Sequence, residues 1–176
     1  MTNKTSHIAI SVLLLLFLAV AGFWNVSQAA DESSTFRSTV FPLPRFVSLS
    51  SDEVFARSGP GSRYPIKWIY HKKGLPVEVI LEFETWRKIR DFEGETGWVS
   101  QSLISGKRTA IINGSEKVPL LQKPKENATK LAILEPRVVV SVDKCEPEWC
   151  RVSITGYQGW LKRSQIWGVY DKENID

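Results

Sequence analysis

Apolar and polar positions in this chain change over short distances, in runs of five to ten residues separated by Gly, Pro, Asn, Asp and Ser. That spacing predicts strands and turns rather than helices. In WRKIRDF, residues 86–92, Ile89 takes the core side, so Arg87 and Asp91 share that side and Trp86, Lys88 and Arg90 take the other. In WCRVSI, residues 149–154, the same parity turns Cys150, Val152 and Ile154 inward and Trp149 and Arg151 outward. Outside the first thirty residues no convincing amphipathic helix is found.

The runs occur twice. LPVEVILEF is answered by PRVVVSVDKC, WRKIR by WCRVSI, the turn EGETG by TGYQG, and GWVSQSLI by GWLKRSQI. Val54 and Val118 begin the matching stretches, and SGKRTAIING between them reads as the last strand of copy one followed by a turn at Asn113-Gly114. The expected fold is all-β, two small tandem β-barrels over residues 46–108 and 109–170. Around them lie a signal peptide (1–29), a linker (30–45) with a polyproline-like end at FPLP, and a tail (171–176). Trp98 and Trp160, each after a turn glycine, are expected in the barrel cores. Tyr64, Trp68 and Tyr70 are expected to pack within the core or the loop.

The first thirty residues change the picture from an isolated domain to an exported one. Lys4 and His7 precede the apolar run Ile8–Val20, and Ser27-Gln28-Ala29 offers small residues for cleavage. An uncleaved membrane anchor is the alternative. Removal of residues 1–29 takes away one lysine and no acid, so the formal net charge of +4 falls by one. Basic and acidic residues are interspersed, which describes a solvated surface and gives no nucleic-acid stripe. The expected location is the periplasm, with membrane contact only through the N-terminal segment if it is kept.

Composition is that of a globular protein, 43% hydrophobic and 24% charged, with seven Trp and one Met. Its two cysteines, Cys145 and Cys150, enclose Glu146-Pro147-Glu148-Trp149. In an oxidising compartment these read as a disulfide across a tight β-turn; a reduced pair is the alternative. Together with His71, the sole histidine past the signal, they fall short of a four-ligand zinc site, so no metal or cofactor is expected.

Catalysis finds little support. The glycine-rich stretch VFARSGPGSRYP lacks the Lys-Ser or Lys-Thr of a phosphate loop, Pro60 removes an N–H, and Pro65 opposes a helix start. Nucleophilic catalysis needs a base or a free thiol, and only His71 is at hand. The acids Glu78, Glu82, Glu84, Asp91, Glu93 and Glu95 cluster in copy one but are expected on solvent faces and turns. The chain reads as non-catalytic.

The stretch VFARSGPGSRYP, followed by WRKIR and GWVSQSLI, resembles the bacterial SH3-like domain family, and more narrowly the tandem SH3-like proteins of alphaproteobacterial envelopes. Val54, Arg57, Ser58, Gly59, Pro60, Gly61, Trp86, Ile89, Gly97, Trp98 and Val99 stand at matching positions. Phe55 and Ala56 depart from the usual Asn and Val, and copy two reads VPLLQKPKENAT where the loop signature should be. The resemblance implies a hooked loop in which Gly59 and Gly61 supply backbone freedom and Pro60 stiffens the bend. By analogy with the peptide groove of eukaryotic SH3 domains, Trp86, Lys88, Arg90 and Tyr64, with Trp149 and Arg151, are the candidate groove residues. The alternative for the two tryptophans is packing against the neighbouring copy or a hairpin. The ligand implied is a cell-wall peptide or peptidoglycan component; the second reading is an accessory subunit bound to another envelope protein.

Overall fold

Short β-branched runs broken by turn residues give strands of two to eight residues in the computed structural model, which describes residues 39–176. The expected signal peptide lies outside the described residues. The strands are β1 (Arg45–Leu49), β2 (Val54–Arg57), β3 (Ile66–Tyr70), β4 (Pro76–Phe83), β5 (Trp86–Arg90), β6 (Thr96–Ser100) and β7 (Ile104–Ser105) in the first copy. In the second they are β8 (Thr109–Ile112), β9 (Val118–Leu121), β10 (Lys130–Leu134), β11 (Val139–Cys145), β12 (Trp149–Ile154), β13 (Tyr157–Lys162) and β14 (Ile166–Trp167). Each copy forms one seven-stranded antiparallel sheet, in the orders β3-β2-β6-β5-β4-β1-β7 and β10-β9-β13-β12-β11-β8-β14. Strand for strand the two orders are the same. The fold is all-β, two tandem SH3-like domains.

One strand changes hands. Thr109–Ile112, expected to end copy one, pairs with β11 and β14 and so opens the second sheet. The two copies thus begin at β1 and β8.

The first core is built by Val47, Leu49, Val54, Ala56, Val77, Val79, Ile89 and Val99. In the second, Ala110, Ile112, Val118, Leu120, Val140, Val142, Val152 and Leu161 take the matching positions, and the Cys145–Cys150 disulfide adds to them. Trp98 and Trp160, expected in the cores, lie outside these aliphatic clusters; Trp98 is buried all the same, and Trp160 is half-buried. Val99 and Leu161 fill the inward positions, so the tryptophan before each faces the other way. The inward neighbour on the other side is glycine because β6 and β13 pass close to the adjacent strand. A Cβ on Gly97 would lie 2.8 Å from that of Ala56, and one on Gly159 would lie 2.7 Å from the Leu121 carbonyl oxygen.

The acids of copy one are less exposed than expected: Glu78, Glu82 and Asp91 are all buried. Glu82, fully buried, accepts from the Thr39 amide and hydroxyl and pairs with Arg45 and Arg87 at 2.5 and 3.2 Å. Burial pushes its carboxyl up, but the hydrogen bonds from Thr39 and Arg45, with the charges of Arg45 and Arg87, outweigh this and hold it below the usual carboxylate range. Residues 39–45, expected as the end of a linker, are therefore tied to the first barrel. They form bends there, where a polyproline segment had been expected, and Leu43 packs on the core. The tail is tied as well: Cys145 donates its amide to Ile175, and Glu173 pairs with Arg108. Buried Arg163 gathers the carbonyls of Pro147, Glu146, Tyr170 and Glu173, joining the disulfide hairpin to that tail.

The described residues belong to one compact unit, and the two barrels dock within it. The Phe46 ring lies 4.9 Å from Trp167, edge-on, and 4.6 Å from Tyr170. The Tyr170 hydroxyl donates to Glu78 at 2.8 Å, and burial followed by this carboxylate raises its pKa. Arg137 pairs with Glu93 at 2.7 Å and stands 5.0 Å from the Phe92 ring.

Candidate ligand groove

The outward face of β5, β6 and β2 places Lys88 opposite Trp98, and Trp98 opposite Arg57. Trp86 lies beside Ser100 on the same face, half-buried. Parity explains the arrangement: Ile89 and buried Arg87 occupy the inward phase of β5, leaving Trp86, Lys88 and Arg90 on the other. The cations are differently committed. Arg57 donates to the Tyr64 carbonyl at 2.8 Å, and Arg90 donates to Glu78 at 2.9 and 2.5 Å. Lys88 makes no ion pair with a described residue. The first barrel thus offers the half-buried Trp86 indole and a Lys88 ammonium uncommitted among the described residues, with Trp98 beside them buried. Trp98, expected in the core, is buried, though on the outward phase of β6 and outside the aliphatic cluster. The aliphatic residue after it, Val99, is the signal that sets the phase.

Tyr64 does not reach outward as a free groove residue, because its ring is seated in the hooked loop. A Cβ on Gly59 would come within 2.5 Å of that ring, and one on Gly61 within 3.3 Å. Neither glycine has a positive φ, so the loop needs them for close approach rather than for backbone freedom. Pro60 lies between them at the bend. Tyr70 packs on the core and donates to Asp91 at 3.0 Å. Trp68, expected to pack, is 42% exposed on the edge strand β3.

The hook recurs in copy two without the glycines. In copy one Ser58 donates to Pro65, Gly61 to Gly59 and Tyr64 to Gly61; in copy two Gln122 donates to Thr129, Lys125 to Lys123 and Ala128 to Lys125. The matching residues are Lys123, Pro124 and Lys125 for Gly59, Pro60 and Gly61. Ala128 replaces Tyr64, so no ring demands the space that glycine leaves.

The second barrel's tryptophan is covered. Trp149 is 9% exposed and sits in a shallow pocket of about 170 Å³ with Pro119, Leu121, Glu126, Lys162 and Gln165. Lys162 is opposite Trp149 on β13, its ammonium 5.8 Å from the ring centre, and it pairs with Glu126 at 2.5 Å. The equivalent positions in copy one are Ser100 and Ser62, too short to strap Trp86 in the same way. Arg151 is exposed but donates to Gln158. The structure therefore leaves Trp86 and Lys88 partly exposed on one face, next to buried Trp98, and Tyr64, Arg90, Trp149 and Arg151 engaged within the fold.

Glu78 and Glu82 are held by arginines, and Asp91 caps its turn by accepting from the amides of Glu93 and Glu95.

A model of bacterial SH3 domains matches residues 50–106 and again residues 114–168. The chain is similar to two solved structures from Trichomonas vaginalis. NlpC1 is 13% identical with a TM-score of 0.32, covering 76% of this chain and 49% of that one. NlpC2 is 12% identical with a TM-score of 0.34, covering 71% of this chain and 48% of that one. The chain thus spans about half the length of each. No curated protein matches it.

Proposed function

Because the chain belongs to the bacterial SH3 domain family, carrying it twice in tandem, we propose that it is an exported, non-catalytic binding module that recognises a peptide of the cell wall. Bacterial SH3 domains often bind peptidoglycan or other cell-wall components. The observation that carries the reading is the outward side of β5 in the first barrel, where partly exposed Trp86 and Lys88 stand together. The Trp86 ring provides apolar contact, and the Lys88 ammonium, unpaired among the described residues, suits the carboxylates of a wall peptide. The pairing of the buried acids with arginines supports binding over hydrolysis. The apolar N-terminal run supports a periplasmic location, and the tandem arrangement suits the alphaproteobacterial envelope type.

The test is co-sedimentation of the full chain with purified sacculi at low and high salt. Pelleting that survives high salt is expected, with loss of at least about tenfold in affinity for Trp86→Ala and little change for Trp149→Ala. Absence of pelleting, or pelleting abolished by salt in the way of a weakly basic protein on an anionic polymer, would overturn it.

A second reading, attachment to another envelope protein, is favoured by one feature. The edge strand β3 exposes Ile66, Trp68 and Ile69, an apolar edge open to strand addition. A stable crosslinked protein partner lost on Trp68→Lys, without wall affinity, would select it.

A further inference from the structure

Away from the tryptophan face, a cleft of about 1030 Å³ opens between the barrels. One wall is Ser48–Ser50, at the end of β1, with the Lys73-Gly74 turn; the other is Val139–Ser141 of β11 with the tip of the β12–β13 hairpin. Lys107 and Thr109, in the connection between copies, also line it. Its size is near the upper end of that of small-ligand sites.

The lining has a definite chemistry. It holds two lysines, Lys73 and Lys107, and no carboxylate. Neither ammonium is paired with a described residue, and the hydroxyls of Ser141, Thr155 and Tyr157 have no partner there either. Thr109, almost wholly buried, has a hydroxyl without a hydrogen-bond partner. The nearby Asp143 is occupied by Ser153 and Gln158. Tyr157, 54% exposed, stands beside Gly156, whose φ of 80° makes the hairpin tip.

We propose that this cleft binds a short carboxylate-bearing oligosaccharide. The lysines select negative charge, the hydroxyls match those of sugars, and the Tyr157 ring offers a platform for the apolar face of a pyranose. An extended peptide fits less well, since peptides are commonly read through a free strand edge. Here β1 is already paired on both sides by β4 and β7, and β11 by β12 and β8. The walls are also preformed: β1 sends Phe46 into the barrel interface, anchors Leu49 in the core, and ends at Ser48–Ser50 on the cleft wall.

Calorimetric titration of the full chain tests it, with trigalacturonate, with the disaccharide of N-acetylglucosamine and N-acetylmuramic acid, with neutral maltotriose and with triglutamate. At least one acidic saccharide should bind; which one does distinguishes a uronate polymer from the wall glycan as its source. Maltotriose should not bind, and a Lys73→Ala/Lys107→Ala variant should bind about tenfold more weakly, as should Tyr157→Ala. Trp86→Ala should leave this binding unchanged, which separates the cleft from the wall-peptide face. Failure of both acidic saccharides, preference for triglutamate, or equal affinity in the lysine variant would overturn the proposal.

Discussion

At Gly59 the absence of a side chain is a packing requirement. The Tyr64 ring occupies the space that a Cβ would take, at 2.5 Å, so Gly59→Ala must displace the ring or the loop. The expected cost is about 1–3 kcal/mol in denaturant unfolding, typical of overpacking. Copy two supplies the control, because Lys123 and Lys125 occupy the glycine positions where Ala128 replaces the tyrosine and the same backbone hydrogen bonds form. In a Tyr64→Ala background, then, Gly59→Ala should cost little. Equal costs in both backgrounds would show that the glycine serves the backbone and not the ring. The sequence displays the motif but hides this reason, since loss of glycine and loss of tyrosine look like one decayed signature until the loops are laid side by side. Pro124, matching Pro60, was the surviving trace of the hook.

Among the strands, alternation reads well wherever an aliphatic residue sets the phase. Ile89 placed Arg87 and Asp91 inward and Trp86 and Lys88 outward, and the burial of β5 follows that order. Alternation alone does not decide burial on β6 and β13, where Val99 and Leu161 hold the inward phase and Trp98, on the outward one, is buried all the same. It also failed for the acids on β4, because burial of Glu82 depends on Thr39 and Arg45, far away in the chain. That cluster gives the strand a pH dependence. Glu82 has a folded pKa below its ordinary value, so its stabilisation is complete above the unfolded value of about 4.3 and is lost as pH falls through the folded one. Unfolding free energy should therefore be flat from about pH 6 to 5 with respect to this group and fall below about pH 4. Glu82→Gln should lower stability at neutral pH by about 3–5 kcal/mol, by leaving Arg45 and Arg87 without their partner, and flatten the acid slope. An unchanged slope would assign the acid loss to other carboxylates, Glu173 first among them, which Arg108 holds low against the burial that pushes it up.

For the whole molecule the question is whether two barrels act as one. Neither the interface nor the cleft was legible in the sequence: Phe46, Glu78 and Phe92 meet Arg137, Trp167 and Tyr170 across the repeat boundary, and no motif spans them. Those rings remove apolar surface from water on both barrels, and the Tyr170 hydroxyl adds a hydrogen bond to a buried carboxylate. Each barrel is small enough to hold only a limited core, so the shared surface contributes a sizeable part of the stability of both. Intact chain is thus expected to unfold in a single transition, with both barrels melting together. Phe46→Ala removes the ring that both Trp167 and Tyr170 touch. It should cost about 3 kcal/mol and split the calorimetric transition in two, the disulfide-bonded second barrel melting last. A single, merely lowered transition would mean that coupling runs through the connection at Gly106–Arg108 and the Arg108–Glu173 pair instead, and an Arg108→Ala variant would then be the one to split it. The same variants bear on the cleft. Phe46 does not line it, so weaker saccharide binding in Phe46→Ala would come from walls no longer held at their spacing, which is what a preformed site between two docked barrels requires.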